Sequence, residues 1–155
     1  MKKIFLVLIL FTSFLAFGQE KAKWYTDFEK AGKISVENKK PLFVFFTGSD
    51  WCPPCKNLKR VVFNSDKFKS WANDNVILVE LDFPRRKQQE ESIKIQNRNL
   101  QSIFQVSSYP QVHFVSFVKG ENNNLNHHGK MVGGAPLDPA KWIEQANFYV
   151  QKIKL

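Results

Sequence analysis

Cysteine is scarce in this chain: 155 residues carry two, at positions 52 and 55. A small domain stapled by several disulfides is therefore excluded. A bridge between residues three positions apart closes a very small loop, which removes little unfolded-state entropy, so stabilisation is a poor reason for the pair. A zinc site wants four ligands, and with no second cysteine pair only His113, His127 and His128 remain to complete one. Acidic residues are also few: 14 Asp and Glu stand against 23 Lys and Arg, a formal net charge of +9. Such a balance favours acidic partners or surfaces. The lysines are scattered, however, and no nucleic-acid-binding module is recognisable, so nucleic acid is not expected as a partner. Internal repeats and low-complexity tracts are absent. Past the N-terminus no apolar run approaches the ~20 residues of a membrane-spanning helix.

What is present begins with a leader. Lys2 and Lys3 precede a mostly apolar run from Ile4 to Phe17, and Ala16-Phe17-Gly18 supplies small residues where a signal peptidase reads. These features predict a signal peptide over residues 1–18, cut between Gly18 and Gln19. The alternative is an uncleaved anchor, against which the shortness of the run and the small-residue site both count. No cysteine lies near the cut, so a lipid anchor on cysteine is not supported. Cleavage of 18 from 155 residues leaves a domain of 137, residues 19–155, and removal of Lys2 and Lys3 lowers the charge from +9 to +7. That length suits one domain with a sizeable core.

Periodicity places the elements. Trp24 to Lys39 reads as a helix, with Trp24, Phe28, Ala31 and Ser35 or Val36 near one face. After Pro41, Leu42-Phe43-Val44-Phe45-Phe46 is a continuous apolar run, as in a strand buried on both faces. Thr47 to Asp50 is a loop, and a helix starts around Cys52 and runs through Leu58 and Val62. A short helix over Lys67 to Ala72 follows. Val76 to Leu81 is a second buried strand, interrupted by Glu80. Gln88 to Val106 reads as a helix and Val112 to Val118 as a strand. Gly120 to Asn124 has turn composition, and His127 to Val132 returns as a hairpin strand. Asp138-Pro139 is an N-cap with proline at the first helical position, ahead of Trp142, Ala146, Tyr149 and Ile153. The order α-β-α-β-α-β-β-α predicts an α/β domain, one central mixed β-sheet flanked by helices, with an N-terminal helix.

The chemistry concentrates in Trp51-Cys52-Pro53-Pro54-Cys55-Lys56. A thiolate attacks disulfides and a thiol hardly does, so a reactive cysteine needs a lowered pKa and access to solvent. The mouth of a helix supplies unsatisfied N–H groups and the positive end of the dipole. Cys55, one turn on, can resolve a mixed disulfide by attacking Cys52. Prolines fit a first turn, where a missing N–H costs little. A zinc site and a purely structural bridge remain the competing readings, each weakened as above.

With its preceding strand and following helix, the segment Phe45 to Lys56 resembles the thioredoxin-like superfamily. Tyr109-Pro110 matches that family's cis-proline opposite the cysteines, and Gly133-Gly134 its late glycine pair by the substrate groove. The likeness covers roughly residues 24–153 and is nearest to exported members, such as the thioredoxin-like domains of membrane disulfide reductases. It implies a thioredoxin fold, Cys52 as nucleophile and Cys55 as resolving residue. It also implies a substrate groove at Trp51, Tyr109, Pro110 and Gly133, with the backbone of Tyr109 pairing with an extended substrate. A trans proline opening a strand is the alternative for Pro110.

One departure stands out. The family often carries a buried acid six positions before the first cysteine, and here that place is Phe46. Glu80, a lone carboxylate in an apolar strand, is the substitute expected to handle the proton, since such a group should titrate high; pairing with a lysine is its structural alternative. Asp50 is read mainly as an exposed loop acid, Lys56 as a solvated helix residue, and the three histidines as surface or hydrogen-bonded strand residues.

Pro53 and Pro54 deny the Cys52 thiolate two backbone donors, and no histidine lies between the cysteines. The thiolate is then stabilised less than in strong oxidants, which points to reduction or isomerisation. The expected function is an exported thiol–disulfide oxidoreductase in the periplasm or medium. Its expected partners are disulfide-containing exported proteins and a thiol electron donor such as a membrane disulfide reductase, with no metal or organic cofactor. A net oxidant and a non-catalytic peptide-binding module are the alternatives.

Overall fold

A computed structural model describes residues 22–117 and 125–153. The leader, its cleavage site and the turn at residues 120–124 lie outside the described residues. Among those described, no helix is long and apolar enough to cross a membrane.

Five strands form one sheet in the order β1-β3-β2-β4-β5. They are β1 (Trp24–Tyr25), β2 (Leu42–Thr47), β3 (Ile77–Asp82), β4 (Gln111–Phe117) and β5 (Leu125–Val132). β1 and β2 run parallel to β3, whereas β4 is antiparallel to β2 and to β5. The helices are α1 (Phe28–Asn38), α2 (Pro53–Leu58), α3 (Asp66–Asn75), α4 (Glu91–Ile103) and α5 (Pro139–Val150). The predicted mixed sheet flanked by helices is therefore present, and the structure is a thioredoxin fold.

β2 lies at the centre, and all six of its residues are buried. Alternation along the strand sends its side chains to two cores. Phe43 and Phe45 meet Leu58, Val62, Phe68 and Trp142 on the face that also holds both cysteines. Leu42, Val44 and Phe46 pack with Ala31, Leu100 and Phe104 on the other. Phe63 joins the first core edge-on to Phe43 and Phe45, with ring centroids 5.4 and 5.0 Å apart. Edge-on pairs add to the burial of these large rings.

Several boundaries differ from the sequence reading. Trp24-Tyr25 is a strand paired with Leu78 and Val79, not the first turn of a helix. The helix begins instead after Asp27, whose side chain accepts the Lys30 N–H at 2.9 Å and caps it. Trp24 projects into the first core, near Phe43, Phe45 and Phe63. The helix after Cys52 does not continue as one α-helix: Lys59–Phe63 is a single π-helical turn. The α3 helix is longer than expected, starting at its Ser65 cap and ending at Asn75, and α4 is shorter at both ends than the predicted 88–106.

Candidate active site

Cys52 caps α2 from an extended conformation, and its sulfur accepts the Cys55 N–H at 3.3 Å. Pro53 and Pro54 fill the first two helical positions, so the donor that reaches the sulfur comes from the third. The two cysteines are joined in a disulfide with Cα atoms 5.3 Å apart. Cys52 keeps 3% of its surface open and Cys55 1%, so what access remains is on Cys52.

The loop before the helix is held from the sheet. The N–H groups of Trp51 and Cys52 both donate to the Gly48 carbonyl, at 3.2 and 2.9 Å. A Cβ on Gly48 would run into the Trp51 indole, which explains glycine there. Trp51 donates from Nε1 to the Phe83 carbonyl at 2.8 Å and meets Tyr109 edge-on at 5.7 Å. Ser49 donates to both oxygens of Asp82, from its N–H at 2.8 Å and its hydroxyl at 2.6 Å.

Tyr109-Pro110 is a cis peptide, and the Pro110 carbonyl accepts the Gly133 N–H at 2.9 Å. Gly133 has φ +87, in the range glycine adopts at no steric cost. Gly134 lies against the cysteine helix: a Cβ there would come within 3.2 Å of the Pro54 carbonyl oxygen. The three stretches singled out for resemblance, far apart in sequence, are thus brought together around Cys52. Gln101 donates to the Tyr109 hydroxyl at 2.9 Å. Burial, partly offset by that bond, pushes the Tyr109 phenol up to about 12.

Glu80 is not the lone carboxylate that the sequence suggests. It lies opposite Phe45, on the cysteine face of the sheet, and Lys59 Nζ donates to both its oxygens at 2.6 and 2.5 Å. Lys59 and Cys55 line one cavity of about 230 Å³, together with Thr47, Lys56 and Arg60. Phe46, in the family's usual acid position, points to the opposite core and stacks edge-on against Phe104 and His113. Its neighbour Thr47 is the residue that reaches the cavity by Cys55.

Asp50, expected as an exposed loop acid, is half-buried and its carboxylate is engaged. It accepts the N–H groups of Arg85, Arg86 and Lys87, the shortest at 2.7 Å. Desolvation alone would raise its pKa; these backbone donors outweigh it and hold the carboxyl below the usual range. The roles of Asp82, Lys59 and Arg85 were not evident in the sequence. Asp82 follows a strand that was expected to end at Leu81, and the other two are among many scattered cations. Among the described residues, no group of three His, Cys, Asp or Glu side chains is placed to hold a metal ion.

A cysteine pair at a helix mouth, faced by a cis proline on this sheet, defines a thiol–disulfide oxidoreductase of the thioredoxin fold. The chain belongs to the thioredoxin-like family, whose model matches residues 23–116. It is 31% identical over 130 residues to the disulfide bond reductase DsbH of Chlamydia pneumoniae, an alignment covering 84% of this chain and 70% of that one. It is 30% identical over 110 residues to the thioredoxin-related protein DsbJ of the same organism, covering 71% of this chain but only 32% of DsbJ. Among solved structures, a DsbH oxidoreductase superposes with a TM-score of 0.71 at 25% identity, over 84% of this chain and 85% of that one.

Proposed function

We propose that this chain is exported and that its Cys52–Cys55 dithiol reduces or isomerises disulfides in exported proteins. The observation that carries the reducing direction is the scarcity of backbone hydrogen-bond donors to the Cys52 sulfur. Two prolines occupy the positions whose N–H groups would face it, leaving the Cys55 N–H at 3.3 Å. A weakly stabilised thiolate makes the reduced form a better electron donor. Similarity to DsbH, a disulfide bond reductase, points the same way.

The reaction is two exchanges. The Cys52 thiolate attacks one sulfur of a substrate disulfide, forms a mixed disulfide and expels the other substrate sulfur as a thiolate. Cys55 then gives up its proton and attacks Cys52, which re-forms the Cys52–Cys55 bond and releases the second substrate thiolate. Two electrons pass to the substrate, and a thiol donor, such as a membrane disulfide reductase, must return them. Glu80, linked through Lys59 to the cavity beside Cys55, takes up the Cys55 proton. Trp51, Tyr109, Pro110 and Gly133 form the surface along which the substrate lies, and no metal or organic cofactor enters the scheme.

Export rests on the leader at residues 1–18 and places the mature protein, residues 19–155, in the periplasm or medium without a membrane anchor. Mass measurement of the protein recovered from a cell envelope fraction should give an N-terminus at Gln19; an intact Met1 in the cytoplasm would overturn export. For the chemistry, Cys55→Ser should hold substrates on Cys52 as covalent adducts that a thiol reagent releases. A trap that captures nothing, alongside a wild-type protein that fails to reduce a model disulfide, rejects turnover. A measured potential near −120 mV, that of strong oxidants, would instead make the protein a net oxidant.

A further inference from the structure

We infer that the active-site rim selects disulfides flanked by acidic residues, through cations that the fold fixes beside Trp51. This rests on the oxidoreductase reading above and names the substrate class of that same site.

The arrangement begins with Arg85, whose guanidinium lies over the Trp51 ring, 4.0 Å from its centroid. Trp51 directly precedes Cys52 and meets Tyr109 edge-on. A chain passing between Cys52 and the Tyr109-Pro110 backbone therefore runs by a fixed positive charge. Arg86 and Lys87 follow on the same exposed loop, and Lys87 Nζ donates to Ser49 Oγ at 3.1 Å, back on the active-site loop. A neighbouring cavity of about 230 Å³ continues the positive edge with Lys87, Lys94 and Arg98. On the other side of the disulfide, Lys56 is exposed and lines the cavity at Cys55.

The acidic groups near this rim are already committed, except Glu90, which stands exposed at the start of α4. Asp50 accepts three backbone N–H groups of the basic loop itself, so it pins those cations rather than facing their side chains. Both oxygens of Asp82 accept from Ser49. Glu91 pairs with Lys94 at 3.1 Å. The guanidinium of Arg85, the side chain of Arg86 and the ammonium of Lys56 are left to meet an incoming chain, and carboxylates two or three residues from the substrate cysteine would be their complement. Complementary charge of this kind acts on encounter rate and partner choice more than on intrinsic chemistry.

The test uses three peptides that differ only at the residues beside their disulfide, which are Glu, Gln or Lys. Each is offered oxidised to the reduced full-length mature protein, and reduced to the oxidised protein, so either direction of exchange reads the preference. At low salt the Glu peptide should exchange roughly fivefold faster than the Gln peptide, and the Lys peptide slower still by a similar factor. The differences should shrink as salt shortens the screening length below ~10 Å. The Arg85→Glu, Arg86→Glu double variant should invert the order. Equal rates for all three peptides, or an unchanged order in the double variant, would overturn the rim while leaving the oxidoreductase reading intact. No exchange with any peptide in either direction would overturn both.

Discussion

Lys59 Nζ lies within 2.6 Å of both oxygens of Glu80, and Lys59 shares a cavity with Cys55. Lys59 is the residue at which the cysteine helix passes into the π-helical turn. Such single turns recur at functional sites. Glu80→Gln keeps the shape but removes the charge. Resolution of a mixed disulfide on Cys52 should then slow on the order of 10²-fold, with the initial attack little changed. Stopped-flow measurement of the two phases separates them. An unaltered second phase would leave Glu80 as a structural partner of Lys59 only. The same change should cost about 1–3 kcal/mol of stability in urea unfolding, because a partly buried charge loses its partner.

Asp50 ties the active-site loop to residues 85–87. Asp50→Ala should release the N–H groups of Arg85, Arg86 and Lys87, which hydrogen exchange would report as lost protection at those three amides. Trp51 loses the fixed position of Arg85 above it, so its fluorescence should shift. Intact protection would mean the loop is held by other contacts.

Gly32 sets two magnitudes against each other. Within α1, glycine to alanine normally gains about 1 kcal/mol of helix propensity. Here the added Cβ would sit 2.6 Å from the Phe117 ring, which itself packs against Phe28 at 5.9 Å. Overpacking costs about 1–3 kcal/mol, so Gly32→Ala should be net destabilising. Adding Phe117→Leu to make room should recover the loss; a stabilised single variant would refute the clash.

His113 predicts an acid-sensitive fold. It is fully buried, with Nε2 3.0 Å from Gln111 Oε1 and Nδ1 3.0 Å from His127 Nε2. The Gln111 oxygen can only accept, so Nε2 carries the proton and Nδ1 accepts from His127. Burial, with smaller contributions from His127 and Lys130, pushes its pKa down to about 3 from 6.5. Because the folded value lies below the unfolded one, the neutral form's stability is complete above pH 6.5 and is lost as pH falls toward 3. Roughly 2 kcal/mol should be gone by pH 5. Burial depresses His127 and His128 as well, in the same sense. Denaturant midpoints measured from pH 7 to 4 should show the loss, and His113→Gln should flatten it.

The sequence by itself determined the cysteine pair, the buried strand before it and the helix after it, because each is written in local spacing. It also marked Pro110 and Gly133-Gly134 through resemblance, but only the fold joins Pro110 to Gly133 by a hydrogen bond and sets Gly134 beside Pro54. The strand Trp24-Tyr25 was misread as helix because two residues carry no period; its pairing with β3 decides it. Glu80 looked isolated because its partner stands 21 positions earlier, on a turn of unusual pitch. Phe46 seemed a missing acid, yet strand alternation turns that position away from the cysteines and gives Thr47 the place beside Cys55. Local pattern fixes where the sulfurs sit along the chain. Which charges and backbone groups surround them is set by contacts between elements distant in sequence, and those exist only once the sheet has formed.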